Sequence, residues 1–267
     1  MKIIGEKING TRKRVAQAIA ERDKAYIENL ARLQTEAGST WLDINAGTHP
    51  NQEADDLIWL IDTVQAVVDT PICLDSANPA ALKIAIQRVN KTPMINSISG
   101  EPDRLMHILP IVAAHGCPVI ALAMDEKKIP ETSDKRMEVI RRVMAETQKS
   151  GIPDDHIYID PLAMTLATNS SSAMVAFETM QAVRQEFPEA HLTIGLSNIS
   201  FGLPARSFIN RYFLSLAIFN GMDSAILDPL DRDIQAAIKT TELISGKDAN
   251  CLGFIRASRK GLFDKTE

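Results

Sequence analysis

Cysteine is scarce in this 267-residue chain: Cys73, Cys117 and Cys251 lie far apart, with no C-x-x-C and no histidine at ligand spacing. That excludes a disulfide framework and offers no local zinc site, so the thiols read as small buried hydrophobes in a reducing compartment and no metal is assigned. Long apolar runs are also missing. None approaches the ~18 residues of a membrane span, and no apolar stretch behind a basic start opens the chain, so no membrane association and a cytoplasmic location are expected. Nor is there an excess of positive charge. The 29 Lys and Arg are interspersed among 34 Asp and Glu for a net charge of −5, which argues against nucleic acid as a partner, since phosphate binding needs a concentrated basic patch. Neither G-x-G-x-x-G nor G-x-x-x-x-G-K-[ST] occurs, so dinucleotide and P-loop chemistry are unsupported.

What remains is the composition of a globular enzyme, 45% hydrophobic and 24% charged with 13 Gly and 13 Pro. Short β-rich apolar runs recur at Lys2–Gly5, Trp41–Asn45, Ile72–Ser76, Met94–Ser97, Val119–Met124, Ile157–Leu162, Leu192–Ser197 and Ser224–Asp228. Between them the apolar residues take helical spacing, as in Leu57, Leu60, Ile61, Val64, Val67 and in Leu105, Ile108, Leu109, Val112. Near-continuous apolar strands alternating with helices need a parallel sheet covered on its outer face, and eight such units favour closure. The sequence therefore predicts an α/β chain forming one domain over 1–267, a single (β/α)8 TIM barrel. The tail from Ser258 to Glu267 lacks a core pattern, leaving it to pack across the barrel or fray.

Active sites in such barrels form at the C-terminal ends of the strands. There the chain places Asp43 and Asn45, Asp75 and Ser76, Asn96 and Ser97, Asp160, Gly195-Leu-Ser197-Asn198, and Asp228. Any one such Asp is as readily a helix cap or loop hydrogen-bonder as a site residue. Six together point to a ligand rich in N–H donors, because a carboxylate accepts two parallel hydrogen bonds and a carboxamide both donates and accepts. The 2-amino-4-oxo-pyrimidine edge of a pterin has that pattern.

The ordered motifs Ile-Gly5-Glu6-Lys-Ile-Asn9-Gly, Leu-Asp-Ser, Met-Ile-Asn-Ser, Tyr-Ile-Asp-Pro-Leu and Gly-Leu-Ser-Asn-Ile-Ser resemble those of the pterin-binding methyltransferases, which move a methyl group between tetrahydrofolate and a corrinoid protein. The resemblance runs over nearly the whole chain. It implies that Asp75, Asn96 and Asp160 hold the pterin ring, that Asn198 hydrogen-bonds near N5, and that Gly195 and Ser197 shape the turn carrying it. Asn198 and Asp160 are the catalytic candidates, with Asp43, Asn45 and Asp160 a network for the proton at N5. Glu6 and Asn9 complete the floor of the site, although Asn9-Gly10 is equally a turn before a helix. Arg206 pairs with the folate glutamate tail or braces a network, an exposed loop arginine being the bland alternative.

The implied substrates are tetrahydrofolate and 5-methyltetrahydrofolate, with a corrinoid (cobalamin) carried by a partner, since the Asp-x-His-x-x-Gly signature of a corrinoid domain is absent from this chain. Ser-Asn-Ile-Ser-Phe-Gly-Leu-Pro-Ala-Arg and Ile-Leu-Asp-Pro-Leu-Asp favour transfer from methylcorrinoid to folate, as in demethylation systems, over the reverse direction of the acetyl-CoA pathway. A dihydropteroate synthase ranks below, because Ala46-Gly-Thr-His-Pro-Asn51 stands where those enzymes carry a Gly-Ser-Thr-Arg-Pro-Gly loop. A non-catalytic folate-binding subunit would need no Asn198. The five histidines read as surface or helix-end residues, Asp125 as a loop residue, and the apolar half of Arg211–Asn220 as a homodimer surface.

Overall fold

A computed structural model describes residues 1–126 and 129–264. The strands are β1 (Lys2–Asn9), β2 (Trp41–Asn45), β3 (Ile72–Asp75), β4 (Met94–Ser99), β5 (Val119–Leu122), β6 (Ile157–Asp160), β7 (His191–Leu192) and β8 (Ser224–Leu227). They pair in parallel, each with its sequence neighbour, and β1 also pairs with β8. Between β7 and β8 the barrel is closed by single contacts instead of a ladder: Ile226 N donates to Ile194 O at 2.9 Å, and Gly195 bridges to Ile226. The expected strand Leu192–Ser197 is thus cut to its first residue plus His191, Thr193–Gly195 making only single bonds to either side and Leu196–Ser200 forming a 3-10 turn beyond them. β1 is longer than expected and β5 shorter.

Helices α1 (Lys13–Glu21), α2 (Lys24–Glu36), α3 (Pro50–Gln65), α4 (Pro79–Ala85), α5 (Pro102–His115), α6 (Ser133–Lys149), α7 (Ser172–Glu186), α8 (Arg206–Phe219), α9 (Arg232–Ile244) and α10 (Leu252–Arg259) form the outer wall. Their starts are written locally. Pro occupies the first turn of α3, α4 and α5, where its missing N–H costs nothing, and the Asn78 and Asp231 side chains cap α4 and α9. Val67, expected on the third helix, lies just past its end. Of the tail expected to pack or fray, Ser258 and Arg259 end α10, and the turn that follows folds back so that Phe263 stacks on Phe254 of that helix at 4.5 Å; residues 265–267 lie outside the described residues. Cys73 and Cys117 are buried as expected, whereas Cys251 is exposed at the start of α10, a helix with no buried residue.

Strand residues of one parity (Ile3, Leu42, Ile44, Leu74, Ile95, Val119) join the helices in the main core. Those of the other parity (Ile4, Cys73, Met94, Ile120, Tyr158, with Trp41, Leu122 and Ile226 against them) fill the barrel interior. Two residues before Ile4 the interior register reaches the floor. There Lys2 Nζ donates to Tyr158 Oη at 2.6 Å and meets His191 Nε2 at 3.1 Å, and His191 Nδ1 lies 2.7 Å from Asp223 Oδ2. His191, expected as a surface or helix-end residue, is therefore part of a buried-side network, stacked on Tyr158 with centroids 4.5 Å apart.

Candidate functional site

Two residues after six of the interior positions comes a polar side chain: Glu6 after Ile4, Asp43 after Trp41, Asp75 after Cys73, Asn96 after Met94, Asp160 after Tyr158, and Asp228 after Ile226, with Asn45 a further two residues on from Asp43. The period of two in a strand aims all of them into the barrel, and the parallel sheet gathers them at one mouth. Asn45 Nδ2 donates to Asp75 Oδ2 at 2.8 Å, and Asn96 Nδ2 to Asp43 Oδ1 at 3.2 Å, so each of these two carboxyls is held by its own carboxamide. Asn96 sits where β4 slips register against β5, between Asn96 and Ile98.

Burial dominates the electrostatics. Asp43, 2% exposed, has its carboxyl pushed well above the usual range by desolvation and by the neighbouring Asp75 charge. Asp75 is raised by desolvation too, but the Asn45 donor and the Arg104 guanidinium oppose the rise. Of this pair Asp43 is pushed up the further, because Asp75 has the Arg104 guanidinium to favour its charged form. Asp160, 5% exposed, is raised to about 6 by desolvation, against the Leu162 and Gly195 amides and the Arg136 guanidinium. Glu6 is also raised by burial, although Arg12 bonds its Oε1 at 2.8 Å.

Asn198 is exposed on the 3-10 turn, its carboxamide folded back over Gly195: a Cβ built on Gly195 would lie 2.9 Å from Asn198 Nδ2. Ser197 is half-buried, and its carbonyl accepts from Arg206 Nη2 at 2.7 Å, while Arg206 Nε donates to Ser200 Oγ at 3.0 Å. Of the roles expected for Arg206, bracing this turn is the one its contacts serve. Asn9 forms the turn, accepting from the Thr11 amide and hydroxyl. Asp125 pairs with Arg142 at 3.5 Å, and His49 caps α3, accepting from Asn51 N at 3.4 Å.

Three cations at the mouth escaped the sequence reading. Lys7 Nζ donates to Asp228 Oδ2 at 2.7 Å because β1 shifts register between Gly5 and Ile8; the only trace in sequence is the broken alternation at Glu6-Lys7. Arg104, in the first turn of α5, donates to Ser97 O at 3.2 Å and faces Asp75. Arg136, on α6, is 2% exposed. Among the described residues no helix is long and apolar enough to cross a membrane, and no group of three or more His, Cys, Asp or Glu could hold a metal ion.

This geometry has counterparts. The family described as pterin binding enzyme matches residues 5–228. The chain is 40% identical over 263 residues to a methylcorrinoid:tetrahydrofolate methyltransferase of Eubacterium limosum, covering 98% of this chain and 97% of that one. It is 32% identical over 238 residues, 84% of its own length, to a methionine synthase of Mycobacterium tuberculosis, and this match spans only 20% of that longer protein. Among solved structures, a dihydropteroate synthase of Stenotrophomonas maltophilia superposes with a TM-score of 0.68 at 18% identity, covering 94% of each chain, a likeness of fold.

Proposed function

The chain belongs to the pterin-binding enzyme family, and from that premise we propose that it is a methyltransferase carrying a methyl group from the cobalt of a methylcorrinoid, held by a partner protein, to N5 of tetrahydrofolate. The observation that carries the reading is the convergence of Asp75, Asn96 and Asp160 on one buried mouth with an exposed carboxamide, Asn198, above it. The full-length similarity to a methylcorrinoid:tetrahydrofolate methyltransferase supports that direction.

Asp75 and Asp160, ionised, take the N–H edge of the pterin, and Asn96 takes the carbonyl side. The ring so held turns N5 toward the solvent side, where Asn198 orients its lone pair. When N5 gains the methyl group it loses its proton, which passes through water into the network of Asp43, Asn45 and Asp160. Desolvation keeps the Asp160 carboxyl near 6, basic enough to hold a proton transiently and acidic enough to be ionised at neutral pH. Glu6 closes the floor beside Arg12, Gly195 lets the turn approach the ring, and Ser197 and Arg206 fix that turn.

The corrinoid is a substrate brought by its protein, and this chain's part is to present N5 to it across an open mouth. A second copy of the chain packs on the apolar face of α8, where Phe208, Tyr212, Leu216 and Phe219 are exposed at helical spacing. Mixing the pure protein with methylcobalamin and tetrahydrofolate should consume the methylcobalt absorbance and yield 5-methyltetrahydrofolate. Absorbance unchanged at high enzyme concentration, with folate binding intact, would overturn the methyltransferase reading.

A further inference from the structure

Arg136 is a costly residue where it stands. A guanidinium 2% exposed has given up its water, and burial lowers its own pKa despite the facing Asp160 charge. Its Nε donates to Pro130 O at 3.0 Å, and its Nη1 to both Pro161 O and Leu162 O at 2.7 Å.

The two adjacent carbonyls on one nitrogen explain the local backbone. For both to face α6, the chain after β6 must turn sharply, and Leu162 adopts φ 65°, a left-handed conformation unfavourable for a side chain of its size. That same turn swings the Leu162 amide back onto Asp160 Oδ1, where it donates at 2.7 Å. From helix to carboxylate the linkage is continuous: Arg136 holds the carbonyls, the carbonyls hold the turn, and the turn holds Asp160.

We infer that Arg136 is a positioning residue for folate recognition, acting through the Asp160-Pro161-Leu162 turn to present the Asp160 carboxylate to the pterin ring without itself touching the ligand. This rests on the reading above that Asp160 holds that ring. The guanidinium charge works in the same direction as the clamp: with the Leu162 and Gly195 amides, it opposes the desolvation that favours a neutral carboxyl. Lysine in its place keeps the charge but loses the planar fork that bonds Pro130 O through Nε while Nη1 holds the Pro161 and Leu162 carbonyls, so Arg136→Lys separates the two contributions.

A double-mutant cycle on tetrahydrofolate binding tests the assignment. Arg136→Lys should weaken binding by about tenfold in the parent, but by less than about twofold in the Asp160→Asn background, the coupling expected of groups that act through one another. Arg136→Gln, which also removes the charge, should move the acidic limb of folate binding to higher pH, whereas Arg136→Lys should leave it in place. A purely structural arginine would lower the melting temperature without changing the affinity of the folded protein. Additive losses in the cycle, parent-like binding by both Arg136 variants, or failure of both to fold would overturn the inference. If instead Asp160→Asn alone binds as tightly as the parent, the pterin assignment of Asp160 fails, an outcome distinct from failure at Arg136.

Discussion

Asn45 Nδ2 reaches across from β2 to Asp75 Oδ2 on β3 at 2.8 Å, and this donor works against the burial that raises the Asp75 carboxyl. The two residues should therefore differ in what their loss does. Asp75→Ala leaves pterin N–H groups unpaired in a buried site and should cost ~2–4 kcal/mol of folate affinity. Asn45→Ala leaves the carboxylate present but less fixed and should cost about 1 kcal/mol. Calorimetry that found Asp75→Ala as tight as the parent would end the pterin assignment of this mouth.

The raised Asp160 carboxyl makes a prediction about stability. Its folded value of about 6 lies above the ordinary 3.8, so the folded state binds the proton more tightly than the unfolded state does. Ionising Asp160 therefore costs stability as pH rises from about 4 through 6, reaching about 3 kcal/mol at pH 7.5. Asp160→Asn should raise the melting temperature at pH 7.5 by several degrees, with the gain fading toward pH 4 while folate affinity falls. A variant less stable than the parent at pH 7.5 would contradict the sign.

The sequence could be read this far because each signal was local. An apolar run ended by Asp or Asn, as at Cys73-Leu-Asp75 or Tyr158-Ile-Asp160, states both the strand and the side chain at its mouth, and parity from Ile4 or Met94 places it inside. What escaped depends on distant contacts. Lys7 faces Asp228 only through a register shift, and β7 shortens because Thr193–Gly195 is bonded singly to each side. Arg104 and Arg136 lie on amphipathic helices, where arginine ordinarily faces water; nothing in the local pattern says that one faces Asp75 and the other is buried. The exposure of Cys251 follows from a helix that buries nothing, a property of the whole C-terminal segment.

At the opposite end of the barrel, Lys2 supplies a donor to Tyr158 Oη and shares His191 with Asp223. Residues at the floor of such a barrel serve stability, not chemistry. Lys2→Met should cost ~1–3 kcal/mol of unfolding free energy by leaving Tyr158 and His191 without that partner, and should leave folate affinity unchanged. Denaturant unfolding beside calorimetry checks both; a drop in affinity at unaltered stability would move the floor network into the function.

The exposed α8 face should make the chain a dimer. Phe219 is 72% exposed and Leu216 52%, too much apolar surface on one helix side to be expected of a monomer. Light scattering at micromolar concentration should give twice the chain mass, and Leu216→Glu with Phe219→Glu should halve it. A parent that scatters as one chain would remove the dimer.

Asn198 separates an enzyme from a folate-binding subunit. Its carboxamide folds over Gly195 from an exposed turn, free to swing toward a ring held below, while Arg206 fixes the turn through the Ser197 carbonyl. If it meets N5 chiefly while charge changes there, Asn198→Ala should slow methyl transfer by ~10²-fold or more, as loss of one transition-state contact commonly does. Ground-state binding should weaken by less than about tenfold if, as proposed, Asp75, Asn96 and Asp160 hold the ring edge. Measuring kcat with methylcobalamin beside the folate Kd tests both halves. Full activity in Asn198→Ala would return the residue to shaping the loop. Weakened folate binding at an unchanged kcat would instead make it one more ring contact, since an interaction present equally in ground and transition states leaves kcat unchanged.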